Sequence, residues 1–200
     1  GKVRLKSGKV ASVTIGGTVS PAGGNFEEPV TQATLKVVGA FHGLSRERSD
    51  ARKYPAIHPI DSWSKYRGVV DMERVEQARA ILKRSSEINQ MMKVIGEEGT
   101  SAEDYIVYQK GELLDAVYLQ QNSFDPIDAA CDPARQLHEF NVLYDVLTRE
   151  FALSDKKEIR AFFNQVRQEF LDWHNTVFQT PEFEAQERKL KDFYLSRAAE

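Results

Sequence analysis

The sequence predicts a mainly α-helical protein, with a short β-hairpin and one helix first and a helical bundle after them. Three observations point there. Val3 and Leu5 precede a polar turn, and Val10, Val13, Ile15 and Val19 after it form a β-branched run. Two loops rich in Gly and Pro follow it. From about Asp71 onward, apolar residues recur at helical spacing between recognisable caps. The reading divides the chain into a β/α piece over 1–66 and a helical bundle over 67–200.

Taken in order, Lys6-Ser7-Gly8-Lys9 supplies the hairpin turn. Ser20-Pro21-Ala22-Gly23-Gly24-Asn25 is loop chemistry throughout. From Thr31 to Leu44, Ala33, Leu35, Val38 and Phe41 sit at roughly helical spacing and predict a helix. Tyr54-Pro55 and His58-Pro59 keep the next stretch extended, because proline disfavours the helical region for the residue before it.

Asp71 caps a helix carrying Val75, Ala78, Leu82, Ile88, Met91, Met92 and Ile95, with Gly96 as its left-handed stop. Thr100-Ser101-Ala102-Glu103 reads as a capping box for a helix running to about Leu119. Asp132-Pro133 opens a helix with Leu137, Phe140, Leu143, Tyr144 and Leu147. Ser154 is the expected cap of another, bearing Ile159, Phe162, Phe163, Val166, Phe170 and Trp173. Thr180-Pro181 repeats the cap-plus-proline signature for a last helix. The bundle therefore has about five helices.

Composition narrows the function. At 41% hydrophobic and 28% charged, the 200 residues are ordinary for a globular chain able to bury a core. With a net charge of −3, nothing global argues for a nucleic-acid partner, whose phosphates demand a basic face. No apolar run approaches the roughly 20 residues of a membrane helix. The single Cys131 has no internal disulfide partner, fits a reducing compartment, and reads as a small buried hydrophobe. The start, Gly1-Lys2-Val3-Arg4, lacks Met and suggests a fragment or a processed start.

Motifs for chemistry are sparse. Gly8-Lys9 invites comparison with a P-loop, but Val3 stands where the first Gly belongs and Val10 where a Ser or Thr must hold Mg²⁺. His42, His58, His138 and His174 lack metal-ligand spacing and read as surface or capping residues. Glu97, Glu98, Glu103 and Asp104 cluster at a loop and a helix start, where acidic side chains favour the dipole. No catalytic residue and no metal ligand is assigned.

Three longer words carry more. Ser12 through Leu35 contains Ser20-Pro21-Ala22-Gly23-Gly24-Asn25 and Glu28-Pro29-Val30-Thr31. Lys53-Tyr54-Pro55-Ala56-Ile57 follows, and then Tyr118-Leu119-Gln120-Gln121-Asn122-Ser123-Phe124-Asp125. Their order and spacing resemble the catalytic subunit of V/A-type rotary ATPases, over about residues 1–150. The family's corresponding words are Ser-Pro-Pro-Gly-Gly-Asp with Glu-Pro-Val-Thr, His-Phe-Pro-Ala-Ile, and Phe-Leu-Gln-Gln-Asn-Ala-Phe-Asp.

The resemblance implies that 1–66 is the remnant of a nucleotide-binding α/β domain and 67–200 the family's helical domain. It implies ATP or ADP with Mg²⁺ in the full subunit, and none bound to this piece, since the P-loop, its Lys, the catalytic Glu and the Mg²⁺-binding Asp fall before position 1. By motif, the adenine falls to Tyr54, Tyr118 and Phe124, whose π-faces suit a flat base. Tyr54 and Tyr118 replace the family's usual Phe. Gly23, Gly24, Asn25, Glu27 and Glu28 correspond to a loop facing the central rotor stalk, with Asn25 in place of the usual Asp. Glu97, Glu98, Glu103 and Asp104 correspond to an acidic lever that also meets the rotor.

His42 and Ser45 depart from the family's usual Trp and Asp. Implied partners are non-catalytic B (beta) subunits in an alternating hexamer and the rotor stalk, with the membrane reached only through an ion-translocating sector. The implied location is the cytoplasmic face of the membrane, and the isolated piece is expected to be inactive. Two alternatives are the non-catalytic sister subunit and a stand-alone helical interaction module, under which the three aromatics have no reason to converge.

Overall fold

The computed structural model describes residues 2–199, which divide into two compact units between Phe41 and His42. In the first unit, β1 (Lys2–Arg4) and β2 (Val10–Ser12) form an antiparallel hairpin pairing Val3 with Ala11. Gly8 closes it with a φ of 82° that a side chain would resist. The strand ends at Ser12, well before the β-branched stretch does, and Val13 and Ile15 are exposed. A 3-10 turn at Ala22–Gly24 leads to α1 (Pro29–Val37). This helix is shorter than the expected Thr31–Leu44. Proline at its first position sets its start, and the β-branched pair Val37-Val38 followed by Gly39 favours extended backbone at its end.

The second unit holds six helices among the described residues. The first, α2 (Arg46–Asp50), has five residues, and Ser45 caps it by accepting from Arg48 N at 3.2 Å. Next come α3 (Met72–Ile95), α4 (Ala102–Leu114), α5 (Pro133–Thr148), α6 (Lys156–His174) and α7 (Pro181–Leu195). These last five are the expected bundle. Asp71, Asp132 and Thr180 each accept an amide of the first turn, so the hydroxyls and carboxylates at these positions act as caps.

Two expected caps move by one residue. Ser101, not Thr100, accepts from Asp104 N at 3.1 Å, while the Thr100 hydroxyl turns back to Gly96 O at 3.4 Å. Asp155, not Ser154, caps α6, and its carboxylate takes two amides where a hydroxyl would take one. Gly96 has the positive φ of a helix stop, but its ψ of 161° is extended rather than left-handed helical.

Among the described residues, α6 gives the core more buried apolar side chains than any other helix. Ile159, Phe162, Phe163, Val166, Phe170 and Trp173 recur three or four residues apart and are all buried. They meet Tyr105, Leu113 and Leu114 of α4, Phe140 and Leu143 of α5, and Phe183, Leu190 and Tyr194 of α7. On α5 the expected apolar Leu137 is exposed, whereas Arg135 and Glu139 are buried. Helices α3 and α4 pack closely because Gly111 offers no side chain to Ser85. No helix of the described residues is long and apolar enough to cross a membrane.

Candidate functional site

The site begins where α4 ends. After Leu114 the helix widens into a π-helical turn over Asp115–Leu119, a geometry often found at functional positions. Leu113, Leu114 and Val117 are buried on one side, and Tyr118 sits half-buried with its ring edge-on to Phe140 at 5.3 Å. Burial pushes the Tyr118 phenol up to about 12, and the Gln136 side chain lies beside its hydroxyl.

The following loop is held by its own side chains. Asn122 Oδ1 accepts from Phe124 N at 3.1 Å, and Asp125 Oδ1 accepts from Ile127 N at 2.8 Å. Asp128 closes the loop by accepting from Asn122 N at 2.5 Å. Phe124 lies at the tip, 96% exposed.

Tyr54 reaches this region from the loop after α2. Its Pro55 peptide is cis and its ring is about half exposed. Its carbonyl accepts from Gln121 N at 3.0 Å, which ties the Tyr54 loop to the Tyr118–Asp125 segment. None of the three rings stacks on another. The structure therefore brings the two loops together through their backbones, leaves the Tyr54 and Phe124 rings open, and fixes Tyr118 against the bundle.

Beside them, Arg48 Nη1 meets Asp115 Oδ1 at 2.5 Å and Lys53 Nζ meets Asp115 Oδ2 at 2.6 Å. The Asp115 and Arg48 side chains are only 9% and 10% exposed. They line a cleft of about 190 Å³ with Ser45, His58, Ser86 and Asn89. The sequence reading does not single out this cluster. Its signal is an acidic residue inside the apolar run from Leu113 to Leu119, where an unpaired charge is costly.

Behind Tyr118, Arg135 Nε donates to Glu139 Oε1 at 2.6 Å, and Nη2 donates to His174 O at 2.6 Å. Burial lifts the Glu139 carboxyl above the usual carboxylate range. Burial and the Arg135 charge push His174 down to about 4, so it is a neutral buried ring rather than a surface or capping residue. His58 does act as a local cap, its Nδ1 accepting from Asp61 N at 3.1 Å. Cys131 is half-buried rather than buried, with Sγ 3.9 Å from Glu139 Oε2. Burial and that carboxylate hold its thiol up at about 11, far from a reactive thiolate. Among the described residues, no three His, Cys, Asp or Glu gather into a metal-binding group.

The acidic stretch divides into two kinds. Glu97 pairs with Arg160, and Asp104 with Arg84 at 2.8 Å. Glu98 and Glu103 are exposed without an ion pair. In the first unit, Gly23 and Gly24 take φ values of 64° and 73°, the left-handed pair that lets the chain reverse. Asn25 Oδ1 then accepts from Glu27 N at 3.0 Å, and Glu28 accepts from the Thr31 hydroxyl at 3.1 Å. Asn25 and Glu27 remain exposed.

Comparison with known proteins matches both segments. Residues 72–162 match the C-terminal domain of V and A type ATP synthase, and residues 1–64 match the nucleotide-binding domain of the ATP synthase alpha/beta family. The V-type ATP synthase alpha chain of Borrelia turicatae is 60% identical over 197 residues, covering 98% of this chain and 34% of that protein. That of Treponema denticola is 58% identical over 198 residues, covering 99% and 34%. The chain thus spans about a third of the length of these relatives. A solved ATP synthase subunit from Nanoarcheaum equitans shares the fold over 64% of this chain and 32% of its own, with a TM-score of 0.52 at 15% identity. By these matches the chain is similar, along nearly its whole length, to the carboxyl-terminal region of V-type ATP synthase alpha chains.

Proposed function

We propose that this chain is the adenine-side and rotor-facing part of the catalytic subunit of a V/A-type rotary ATPase, which couples ATP hydrolysis or synthesis to proton or sodium transport. The observation that carries the reading is the backbone tie between Tyr54 and Gln121, which holds two aromatic-bearing loops side by side. Open rings on such loops are what a purine needs, because its recognition rests on π-stacking. Tyr54 and Phe124 offer free ring surface, and Tyr118 offers a ring whose position is set by Phe140.

Under this reading the functional partition lies near residues 66 and 67. The phosphate-binding loop, the Mg²⁺ ligands and the catalytic carboxylate belong to other parts of the full subunit, and an Arg comes across the interface from the neighbouring non-catalytic subunit. The reaction is phosphoryl transfer from ATP to water or its reverse, carried by positioning and charge stabilisation. This chain's part is to grip the base and pass site closure to the rotor stalk through Gly23–Glu28 and through Glu97, Glu98, Glu103 and Asp104. Closure of this kind is a hinge motion coupled to nucleotide occupancy. The complex would sit peripherally on the cytoplasmic face of the membrane.

The test is steady-state ATP hydrolysis by the assembled complex carrying Tyr118→Ala or Phe124→Ala in the full subunit. A raised KM with a smaller change in kcat supports base binding by these rings. An unchanged KM in both variants removes the pocket assignment.

A further inference from the structure

We propose that Asp115 is a positioning residue for the adenine site, holding the Tyr54 loop against the segment that bears Tyr118 and Phe124; the inference rests on the adenine-pocket reading. Both carboxylate oxygens of Asp115 are engaged, Oδ1 by Arg48 at 2.5 Å and Oδ2 by Lys53 at 2.6 Å. Lys53 immediately precedes Tyr54, and Arg48 lies on α2 at the start of the same loop. On the other side, Asp115 opens the π-helical turn in which Tyr118 stands three residues later. Its main-chain carbonyl accepts from Gln120 Nε2 at 3.3 Å, and the next residue, Gln121, donates from its backbone to Tyr54 O. One buried carboxylate therefore joins Arg48 and Lys53 of the Tyr54 loop to the turn that bears Tyr118, beside the backbone tie from Gln121 to Tyr54.

The chemistry makes the junction sensitive. Two cations share one buried anion, and the nearest further carboxylate, Glu112, is 3.9 Å from Lys53. Arg48 Nε is buried without a partner, so the guanidinium depends on the Asp115 contact for its pairing. Removing the negative charge leaves a buried Arg and a half-buried Lys facing each other, and the Tyr54 loop must move to hydrate them. A buried ion pair of this sort also stabilises a fold in the ordinary way, so the test needs a readout that stability alone does not move.

That readout is base recognition by the assembled complex with Asp115→Asn in the full subunit, measured as KM and kcat for ATP and for GTP. The expected result is a rise of roughly tenfold in KM for ATP, little change in kcat, and a smaller preference for ATP over GTP, because misplaced binding groups weaken ground-state binding. Asp115→Glu, which restores the charge, should recover part of the loss. A lowered melting temperature with unchanged KM and unchanged base preference would make Asp115 purely structural and overturn the proposal. Should Asp115→Asn fail to assemble, Lys53→Met decides, since that side chain is 32% exposed and its loss spares the fold. A raised KM in it supports the proposal, and an unchanged one overturns it. Tyr118→Ala and Phe124→Ala run alongside separate the two readings. If they raise KM while Asp115→Asn does not, only the positioning role falls. If they leave KM unchanged, the pocket falls and the positioning role with it.

Discussion

Gly111 of α4 faces Ser85 of α3 so closely that a Cβ at position 111 would lie 2.2 Å from the Ser85 hydroxyl oxygen and 2.3 Å from its Cβ. Ser85 is buried and donates to Tyr108 O at 3.1 Å, so it cannot simply swing aside. This contact fixes how α4 lies on α3, and so where the π-helical turn and Tyr118 emerge.

Gly111→Ala should therefore destabilise the chain by about 1–3 kcal/mol, the usual cost of overpacking a tight contact. Ser85→Gly in the same chain should restore part of that loss despite the helix penalty of glycine, roughly 1 kcal/mol. Urea unfolding midpoints check both. Equal stability of Gly111→Ala and the parent chain would mean the helices separate without cost.

Tyr118 and Phe124 should respond differently to substitution. The Tyr118 hydroxyl is buried beside Gln136, so on the adenine-pocket reading Tyr118→Phe should leave nucleotide binding unchanged and shift stability by no more than about 1 kcal/mol, the net worth of one hydrogen bond. Phe124 is 96% exposed, so Phe124→Ala should leave the melting temperature unchanged and, on the adenine-pocket reading, weaken nucleotide binding. Calorimetry on each variant beside a KM measurement separates the two effects. A large drop in melting temperature for Phe124→Ala would show a structural role that its exposure does not predict.

These contrasts show what local sequence can and cannot announce. Asp71, Asp132 and Thr180 were legible as caps because a cap is written in three or four neighbouring residues. Thr100 against Ser101 was not, since two adjacent hydroxyls compete and only the turn back to Gly96 O decides between them. Helix α2 is five residues of mostly charged sequence and carries no apolar stripe to read. The aromatic positions came from family words. The Arg48–Asp115–Lys53 cluster did not, because its charges meet across 67 and 62 residues of chain, a distance over which no local pattern speaks.

Acid sensitivity should trace in part to His174. Burial first, and then the Arg135 charge, hold its ring at about 4 in the folded chain against about 6.5 when unfolded. Below pH 6.5 the unfolded chain takes up a proton that the folded chain refuses. Stability is thus fully present above pH 6.5 and falls as pH drops toward 4, by about 3 kcal/mol at most. Glu139 works the other way: burial raises its carboxyl, so the folded chain binds that proton first and offsets part of the loss. His174→Gln should flatten the stability profile between pH 6.5 and 4. Identical slopes in both chains would assign the acid sensitivity to other groups.

The paired and unpaired acids of the 97–104 stretch make the last prediction, which rests on the proposed rotor contact. Glu97 and Asp104 already spend their charge on Arg160 and Arg84, whereas Glu98 and Glu103 face solvent. If this stretch meets a basic surface on the rotor stalk, the free carboxylates supply the attraction. Neutralising both, as Glu98→Gln with Glu103→Gln, should weaken binding of the assembled catalytic head to the rotor and flatten the dependence of that binding on salt. Neutralising Glu97 should instead act inside the chain by releasing Arg160, which also donates to the Tyr105 hydroxyl at 3.0 Å. Binding of the rotor subunit measured across an ionic-strength series distinguishes the two. An unchanged salt dependence in the Glu98/Glu103 variant would remove this stretch from the rotor interface and leave it as a solvated helix start.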